Sequence, residues 1–301
     1  MLDTPLVSII VPNFNHGKYI KNMISSVINQ TYTNWELIIV DNNSTDNSSL
    51  VIDGFKDQRI LKLNINNNGI VAKSRNMAIN VAKGEWIAFL DSDDFWFAEK
   101  LEKCLKDCKN VDLIYHDMKL FKAETNAMIN RGKKSRTLQS PVFKDLLING
   151  NTLLNSSVLI RKVILNKVNG LNEDREMVTC EDYNLWLKIS KETERFLHIP
   201  EKLGYYTIHN QGLSQRDTSK QLKKAVSSFL SELSDIERFQ VESFIRYSKI
   251  KTMIKTKQLS TLYEDLVFCM LHGKYLIKLK SLIYFFSLFL LFFKIKFLKH
   301  E

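Results

Sequence analysis

Three acidic residues crowd into four positions of the segment "FLDSDDFW": Asp91, Asp93 and Asp94. They follow the apolar run "EWIAFL", which predicts a buried strand. Carboxylates this close repel one another unless a cation lies among them. Hard divalent ions such as Mg²⁺ and Mn²⁺ bind carboxylate oxygens and complete their shells with phosphate oxygens and water. The motif therefore indicates a metal ion that carries a diphosphate.

Two other polar segments follow predicted strands in the same way. "PNFNHG" comes after "LVSIIV", and "DNNSTDNS" comes after "WELIIV". Each segment alone is typical of an ordinary turn, because Asn, Asp, Ser and Gly are turn residues. The carboxyl ends of parallel strands meet at one edge of a sheet, where ligands bind. Three polar loops at that edge favour a functional site over three unrelated turns.

The sequence lacks two common nucleotide-binding motifs, which argues against two classes of enzyme. No "GxxxxGK[ST]" occurs, which argues against an ATPase, and no "GxGxxG" follows the first strand, which argues against a dinucleotide dehydrogenase. Lys73 and Arg75 in "AKSRN" could neutralise phosphate, although a solvated helix face explains them equally well. A diphosphate held by a metal at a strand end suits transfer from a nucleotide-sugar, in which the nucleoside diphosphate is the leaving group.

The elements that position these residues alternate between strand and helix. Strands are predicted at 6–11, 35–40, 59–64, 85–90 and 111–116, with helical patterns between them. This alternation predicts a mostly parallel sheet covered on both faces. The polar, basic segment 122–140 is interpreted as a mobile loop or subdomain boundary. Later strands are predicted in "NSSVLIRK", "RFLHIP" and "LGYYTIH", a helix in "CEDYNLWLKIS", and helices from Lys220 onward.

Three long segments occur in the order typical of one family. "VSIIVPNFNHGKYIKNMISSVINQTYTNWELIIVDNNSTDNS", "NNGIVAKSRNMAINVAKGEWIAFLDSDD" and "EDYNLWLKIS" resemble glycosyltransferase family 2 of the bacterial surface-polysaccharide type. The resemblance implies an α/β GT-A fold, Rossmann-like with a mostly parallel central sheet, and inversion at the anomeric carbon. We expect a catalytic domain at 1–215, with its nucleotide-sugar half at about 1–120 and its acceptor half at about 121–215. Residues 216–301 form a helical, basic and hydrophobic extension.

The resemblance also assigns residues to the nucleotide. Pro12 and Asn15 line the base, and Asp41 accepts a hydrogen bond from it, most simply from uracil. Many members have a second acid after Asp41, whereas this chain has Asn42. Contacts to ribose or base therefore differ at Asn42.

The diphosphate and metal are assigned to the acidic loop and its neighbours. Arg75 approaches the diphosphate, and Asp91 and Asp93 are the D-x-D pair. Asp93 binds Mn²⁺ or Mg²⁺ directly, and Asp91 contacts ribose, or the metal through water. Ser92 and Asp94 complete the donor site, with Asp94 orienting the loop or the donor sugar.

A histidine follows the last predicted strand, in "YYTIHNQGLS". Similar enzymes often have a histidine there, so His209 is assigned to the metal or the diphosphate. A structural histidine is the alternative. His16 in "PNFNHG" is interpreted as a turn residue.

The segment "CEDYNLW" contains the residues that are assigned to the acceptor. The resemblance makes Asp182 the catalytic base that takes the proton of the acceptor hydroxyl, with Glu181 positioning the acceptor. Two adjacent carboxylates can raise a pKa toward neutrality. The alternative is a helix N-terminus with acids that suit the helix dipole. Trp186 is interpreted as a core residue.

Composition limits the remaining classes. The chain has 301 residues, a net charge of +10 and 4 Cys with no secretory signal, which indicates a reducing, cytosolic compartment. Cys104 and Cys108 are interpreted as ordinary thiols. The basic residues gather beside an apolar tail and do not interleave with aromatics along a groove, which argues against nucleic-acid binding.

The C-terminal tail combines positive charge with an apolar run. Residues 251–301 carry nine Lys against three acids, and "SLIYFFSLFLLFF" is uncharged. This run is shorter than the roughly 20 residues of a membrane span. Lysines on both sides of an aromatic helix favour docking on an anionic bilayer. A core helix, a dimer contact and a span are the alternatives.

Together these features predict a metal-dependent, inverting glycosyltransferase at the cytoplasmic face of a bacterial membrane. The donor is a UDP-sugar, and the acceptor is a lipid-linked saccharide in surface polysaccharide, capsule or lipopolysaccharide synthesis. A soluble enzyme acting on protein and a non-catalytic nucleotide-sugar-binding scaffold are the alternatives. The combination of Asp91, Asp93 and Asp182 argues against the scaffold.

Overall fold

The fold is built on a nine-stranded mixed sheet, seen in a computed structural model that describes residues 4–106, 108–209, 217–256 and 262–297. The strands are β1 (Val7–Asn13), β2 (Trp35–Asp41), β3 (Ile60–Asn64), β4 (Trp86–Phe89), β5 (Phe95–Trp96), β6 (Leu113–Lys122), β7 (Ala127–Lys133), β8 (Leu159–Arg161) and β9 (Phe196–Ile208). Their order in the sheet is β3-β2-β1-β4-β8-β6-β9-β5, and β7 pairs with β6.

Strands β3, β2, β1 and β4 are parallel and end at the same edge of the sheet. The apolar runs of β1, β2 and β4 are buried because helices cover a parallel sheet on both faces, whereas β3, at the border of the sheet, is partly exposed. The register pairs Asn13 with Asp41 and Asp41 with Asn64, so the three carboxyl ends are level. The loops after β1 and β2 therefore start side by side, as the sequence predicts.

The second half of the sheet mixes directions. β8 is antiparallel to β4 and β6, β9 is parallel to β6, and β5 is antiparallel to β9. The α/β class is confirmed, and parallel pairing holds in the first four strands and between β6 and β9.

Helices connect the strands and form the C-terminal part. In the first helix, Ile20, Met23, Ile24 and Val27 are buried at the spacing of one helical face. The helices are α1 (Ile20–Ile28), α2 (Ser48–Asp53), α3 (Val71–Val81), α4 (Lys100–Leu105), α5 (Val142–Asn149), α6 (Lys162–Lys167), α7 (Glu181–Glu192), α8 (Ser219–Ser227), α9 (Asp235–Thr256), α10 (Leu262–His272) and α11 (Tyr275–Phe297).

The interpretation of 122–140 as a mobile loop or boundary was wrong over its first half. Residues 127–133 form β7, which pairs antiparallel with β6. A short 3₁₀ turn at Ala123–Thr125 and the left-handed Asn126 (φ 49°) reverse the chain between them. The polar composition of this segment gave no sign of the hairpin, because a strand at the border of a sheet needs few apolar side chains.

The two strands predicted in "RFLHIP" and "LGYYTIH" are one continuous strand, β9. The pairing with β6 steps from His116–Ile199 to Asp117–Lys202, so Pro200 and Glu201 are accommodated in an irregularity. A bulge is where a strand accepts proline, which has no N–H to donate. The proline therefore does not end the strand.

Contacts divide the chain into two compact units, residues 1–143 with 152–212 and residues 144–151 with 213–301. The first contains the sheet. The second contains α8 to α11 and also 144–151, which the predicted boundary at 215 assigns to the catalytic domain. Its core includes Ile250, Leu262, Leu266 and Cys269. Within the described residues, no helix has the length and hydropathy needed to cross a membrane.

Candidate active site

A buried arginine joins two acidic segments of the sequence. Arg75 on α3 is 5% exposed, and its Nη2 donates to Oδ1 of Asp91 at 2.9 Å. Its Nη1 donates to Oε1 of Glu181 at 2.7 Å. Burial lowers the pKa of Arg75, but the carboxylates of Asp91 and Glu181 raise it on balance, so the guanidinium stays charged. The acidic loop after β4 is thereby tied to the start of α7.

Two residues before this helix start, the backbone is strained. Thr179 has φ 86°, which is rare for a β-branched residue and costs on the order of 1–3 kcal/mol. Its N–H donates to Oε2 of Glu181 at 2.7 Å. Glu181 is therefore held on both carboxylate oxygens, by Arg75 and by Thr179. Its predicted role in positioning the acceptor stays a prediction.

The third acid of the loop, Asp94, is buried. Its Oδ2 accepts from Oγ of Ser156 at 2.5 Å, and its Oδ1 accepts from the N–H of Thr207 at 2.8 Å. Burial, with the nearby charges of Asp93 and Asp91, raises the pKa of Asp94 well above its ordinary value. These contacts fasten the acidic loop to β9 and to the turn before β8.

The second acid, Asp93, lies beside two histidines. Oδ2 of Asp93 is 3.0 Å from Nε2 of His209, and the two side chains are 17% and 18% exposed. Nδ1 of His16 is 2.7 Å from Oγ of Ser92. One ligand atom each from His16, Asp93 and His209 lie within 4.8 Å of one another. Imidazole and carboxylate donors fit a divalent metal ion.

The first two polar loops are linked by hydrogen bonds. Asp41 is buried, and its carboxylate accepts from Nδ2 of Asn13 at 2.6 Å and from Oγ and N–H of Ser44 at 2.6 and 2.9 Å. Asn15 is left-handed (φ 53°), and its Oδ1 accepts from the N–H of Thr45 at 2.8 Å. The predicted base-binding roles of Asp41 and Asn15 stay predictions.

The other predicted nucleotide residues lie in the same region. Pro12 pairs with Val40 near the carboxyl end of β1. Oδ1 of Asn42 accepts from the N–H of Asn67 at 2.8 Å, in the turn that leads to α3. The asparagine therefore has a structural partner at the position where many family members have an acid.

The predicted base lies in the first turn of α7. Asp182 is half-buried, and its Oδ1 accepts from the N–H of Tyr183 at 2.7 Å. Burial, together with the charge of Glu181, raises the pKa of Asp182 to about 7, against the opposing effect of Arg75. A carboxylate that titrates near neutral pH suits a general base. Trp186 is fully buried against Phe89, which confirms its interpretation as a core residue.

Sequence reasoning missed several residues of this site. Nδ2 of Asn155 donates to Asp91 at 2.9 Å, and Nζ of Lys133 lies 3.5 Å from the ring centroid of Tyr206. Burial lowers the pKa of Lys133, while the charges of Asp94 and Asp182 raise it. "NSS" before an apolar run was a usable signal for Asn155 and Ser156. Lys133 and His16 had none, because a lone residue in a polar segment has no diagnostic spacing.

Comparisons with known proteins agree on one family. The family model of Glycosyl transferase family 2 matches residues 8–168. The chain is 36% identical over 194 residues to Escherichia coli WfgD, a UDP-Glc:alpha-D-GlcNAc-diphosphoundecaprenol beta-1,3-glucosyltransferase, covering 64% of this chain and 72% of WfgD. It is 31% identical over 210 residues to E. coli WfaP, described by the same activity, covering 69% of this chain and 80% of WfaP.

A solved structure shows the same fold. The mannosyltransferase PcManGT from Pyrobaculum calidifontis, in complex with GDP-Man and Mn²⁺, superposes with a TM-score of 0.63. The match covers 96% of this chain and 81% of PcManGT at 16% sequence identity. At this sequence identity the similarity shows a shared fold and nothing about function.

Replacing Arg75 with methionine should strongly destabilise the first unit. The change leaves the buried carboxylate of Glu181 without its cation, which typically costs about 3–5 kcal/mol of unfolding free energy. Urea denaturation measures this as a lower midpoint at an unchanged slope. Lys103→Met, which removes the exposed ion pair with Glu201, is the control and should leave the midpoint unchanged. Equal midpoints for the two variants would show that Arg75 does not hold the site.

Proposed function

The chain belongs to glycosyltransferase family 2 and has the GT-A fold, and from that premise we propose that it is a metal-dependent, inverting enzyme. It moves a sugar from a UDP-sugar to a hydroxyl group of a lipid-linked saccharide. One observation carries the proposal: Arg75 ties the acidic loop that would hold the donor diphosphate to the helix that presents Asp182. WfgD, by its name, uses UDP-Glc and an undecaprenol-diphosphate acceptor, which supports both substrate classes.

The reaction is a single displacement at the anomeric carbon. Asp182 accepts the proton of the acceptor hydroxyl while that oxygen forms the new glycosidic bond. The bond from the anomeric carbon to the diphosphate breaks on the opposite side, and its electron pair leaves with the nucleoside diphosphate. The configuration therefore inverts, and the proton on Asp182 passes to solvent.

The donor is held at the carboxyl ends of β1, β2 and β4. Asp41 and Asn15 face the base, and Asp91 contacts the ribose. Asp93 and His209 are the residues that would hold Mn²⁺ or Mg²⁺. A bound ion supplies positive charge to the leaving diphosphate. Arg75 adds a fixed positive charge beside Asp91 without titrating in the working range.

Two buried contacts keep the donor loop in place during transfer. Asp94 anchors the loop through Ser156 and Thr207. Glu181 fixes Arg75, so it positions the site through the guanidinium. Lys133 lies close enough to the charges of Asp94 and Asp182 to influence both. A preorganised charge arrangement of this kind stabilises charge that develops in the transition state.

The C-terminal helix α11 supplies a surface for a membrane. One face carries exposed apolar side chains at helical spacing, and the other packs on α9 and α10 through Ile277, Tyr284 and Phe285. Exposed lysines at 274, 278 and 280 accompany the apolar face, which suits an anionic bilayer. The exposed apolar residues are Tyr275, Leu276, Leu279, Leu282, Ile283 and Phe286.

We place the enzyme at the cytoplasmic face of the cell membrane, as a peripheral protein in surface-polysaccharide or lipopolysaccharide synthesis. A lipid-linked acceptor presents its sugar at the bilayer surface. Docking through α11 would hold the chain at that surface.

Transfer should require the ionised form of Asp182. Because its pKa is about 7, kcat/KM should rise about tenfold per pH unit below pH 7 and level off above about pH 8. Asp182→Asn should lower kcat/KM by at least about 100-fold while UDP binding persists. The assay is transfer from UDP-sugars to undecaprenyl-diphosphate-linked GlcNAc.

Glu192→Gln, an exposed acid at the other end of the same helix, is the matched control and should keep wild-type activity. If Asp182→Asn transferred sugar as fast as Glu192→Gln, Asp182 would not be the base. If the wild-type chain bound UDP but transferred no sugar, the chain would be a binding scaffold.

Charging the apolar face of α11 should release the protein from lipid. The full chain should sediment with phosphatidylglycerol vesicles, less so at high salt, because screening weakens the attraction to the lysines. Leu279→Glu combined with Ile283→Glu and Phe286→Glu should leave it in the supernatant. Leu50→Glu, on α2, is the control for added charge at an exposed leucine. Equal sedimentation of the triple variant would exclude this face, and loss of a dimer without any lipid binding would assign it to a second copy.

A further inference from the structure

The loop after β1 brings a third candidate metal ligand, His16, to the acidic motif. His16 follows "PNFN" and lies next to Ser92, the residue between Asp91 and Asp93. Nδ1 of His16 is 2.7 Å from Oγ of Ser92. This contact joins two loops that are 76 residues apart in the chain.

The contact with Ser92 leaves the other ring nitrogen, Nε2, to bind an ion in one of the two tautomers of His16. When Nδ1 donates its proton to the serine oxygen, Nε2 carries the lone pair. Metal-binding histidines commonly hydrogen-bond through the other ring nitrogen in this way, which fixes the tautomer and the ring orientation. His16 therefore has the supporting contact that a ligand needs.

The three side chains are spaced as ligands of one ion. One donor atom each from His16, Asp93 and His209 lie within 4.8 Å of one another. Oδ2 of Asp93 and Nε2 of His209 are 3.0 Å apart. Adjacent ligands of an octahedral ion at about 2.1 Å are separated by about 3.0 Å. The two atoms can thus bind the same ion with little movement.

An aromatic ring holds the histidines in place. Tyr19 stacks on His209 with centroids 5.7 Å apart and meets His16 edge-on at 5.6 Å. All three candidate ligands are half-buried, so an ion can reach them from solvent. The three side chains are therefore already close together and accessible to an ion.

We infer that His16, Asp93 and His209 form a transition-metal site that binds its ion before the nucleotide arrives and prefers Mn²⁺ to Mg²⁺. Two imidazoles with one carboxylate favour Mn²⁺ and later first-row ions, whereas Mg²⁺ favours oxygen ligands and keeps its water. Three protein ligands hold an ion without help from phosphate. The inference deepens the proposed function, on which it rests for the role of the ion in transfer.

Mn²⁺ binding to the full chain without nucleotide tests the site directly. Electron paramagnetic resonance measures free Mn²⁺ during titration of the protein. We expect saturable binding by the wild-type chain, and Mg²⁺ should displace the Mn²⁺ only at more than about tenfold higher concentration. His16→Gln should weaken Mn²⁺ affinity by about 10–100-fold. His272→Gln, a histidine of the second unit, is the matched control and should bind as the wild type does.

A second substitution at the same position distinguishes loss of a ligand from misfolding of the His16→Gln variant. His16→Asp replaces imidazole by a hard oxygen ligand, so it should still bind Mn²⁺ but lose much of the preference over Mg²⁺. Binding of Mn²⁺ only in the presence of UDP would overturn the inference and leave the proposed function intact. Equal Mn²⁺ affinity of wild type, His16→Gln and His272→Gln would also overturn it. Nucleotide-independent binding by a chain that transfers no sugar would uphold the site and refute the proposed function.

Discussion

The ion pairs of Arg75 are the constraint on which the candidate site depends. One buried guanidinium compensates Asp91, 16 residues away in the chain, and Glu181, 106 residues away. Arg75 and Glu181 are buried and Asp91 is partly exposed. Burying a charge is costly unless it is paired, so α3, the acidic loop and α7 must be correctly placed at the same time. The register that satisfies these charges also brings Asp182 to the edge where β1, β2 and β4 end. Stability of the fold and geometry of the site are therefore coupled through one side chain.

The three acids of "DSDD" can lie close together because each carboxylate has different partners. Asp91 pairs with Arg75, and Asp94 is buried on hydroxyl and backbone donors. Of the three, Asp93 is the one that lies beside the histidines. The repulsion among the three acids is reduced by the guanidinium beside Asp91 and by the neutral donors to Asp94, and an ion at Asp93 would reduce it further. The loop can then present one carboxylate to a metal while the other two hold it still.

The sequence predicted the parts of the fold whose signals are local. Continuous apolar runs located β1, β2 and β4, helical spacing located α1 and α3, and the three polar loops after these strands indicated one edge of the sheet. It could not predict what depends on distant pairing. The strand β7 lacks an apolar pattern because β6 determines its position, and Pro200 is tolerated because a bulge removes the need for its N–H. His16 and Lys133 reach the site only through the tertiary fold. Their neighbours in the sequence give no sign of it.

The most direct test of the site is anomalous diffraction from crystals grown with UDP and Mn²⁺. We expect one manganese peak within coordination distance of the Asp93 carboxylate and of the diphosphate oxygens, with uracil beside Asp41. The place left for the donor sugar should lie between the diphosphate and Asp182. A manganese peak away from Asp93, or UDP bound away from the ends of β1, β2 and β4, would contradict the proposed donor site.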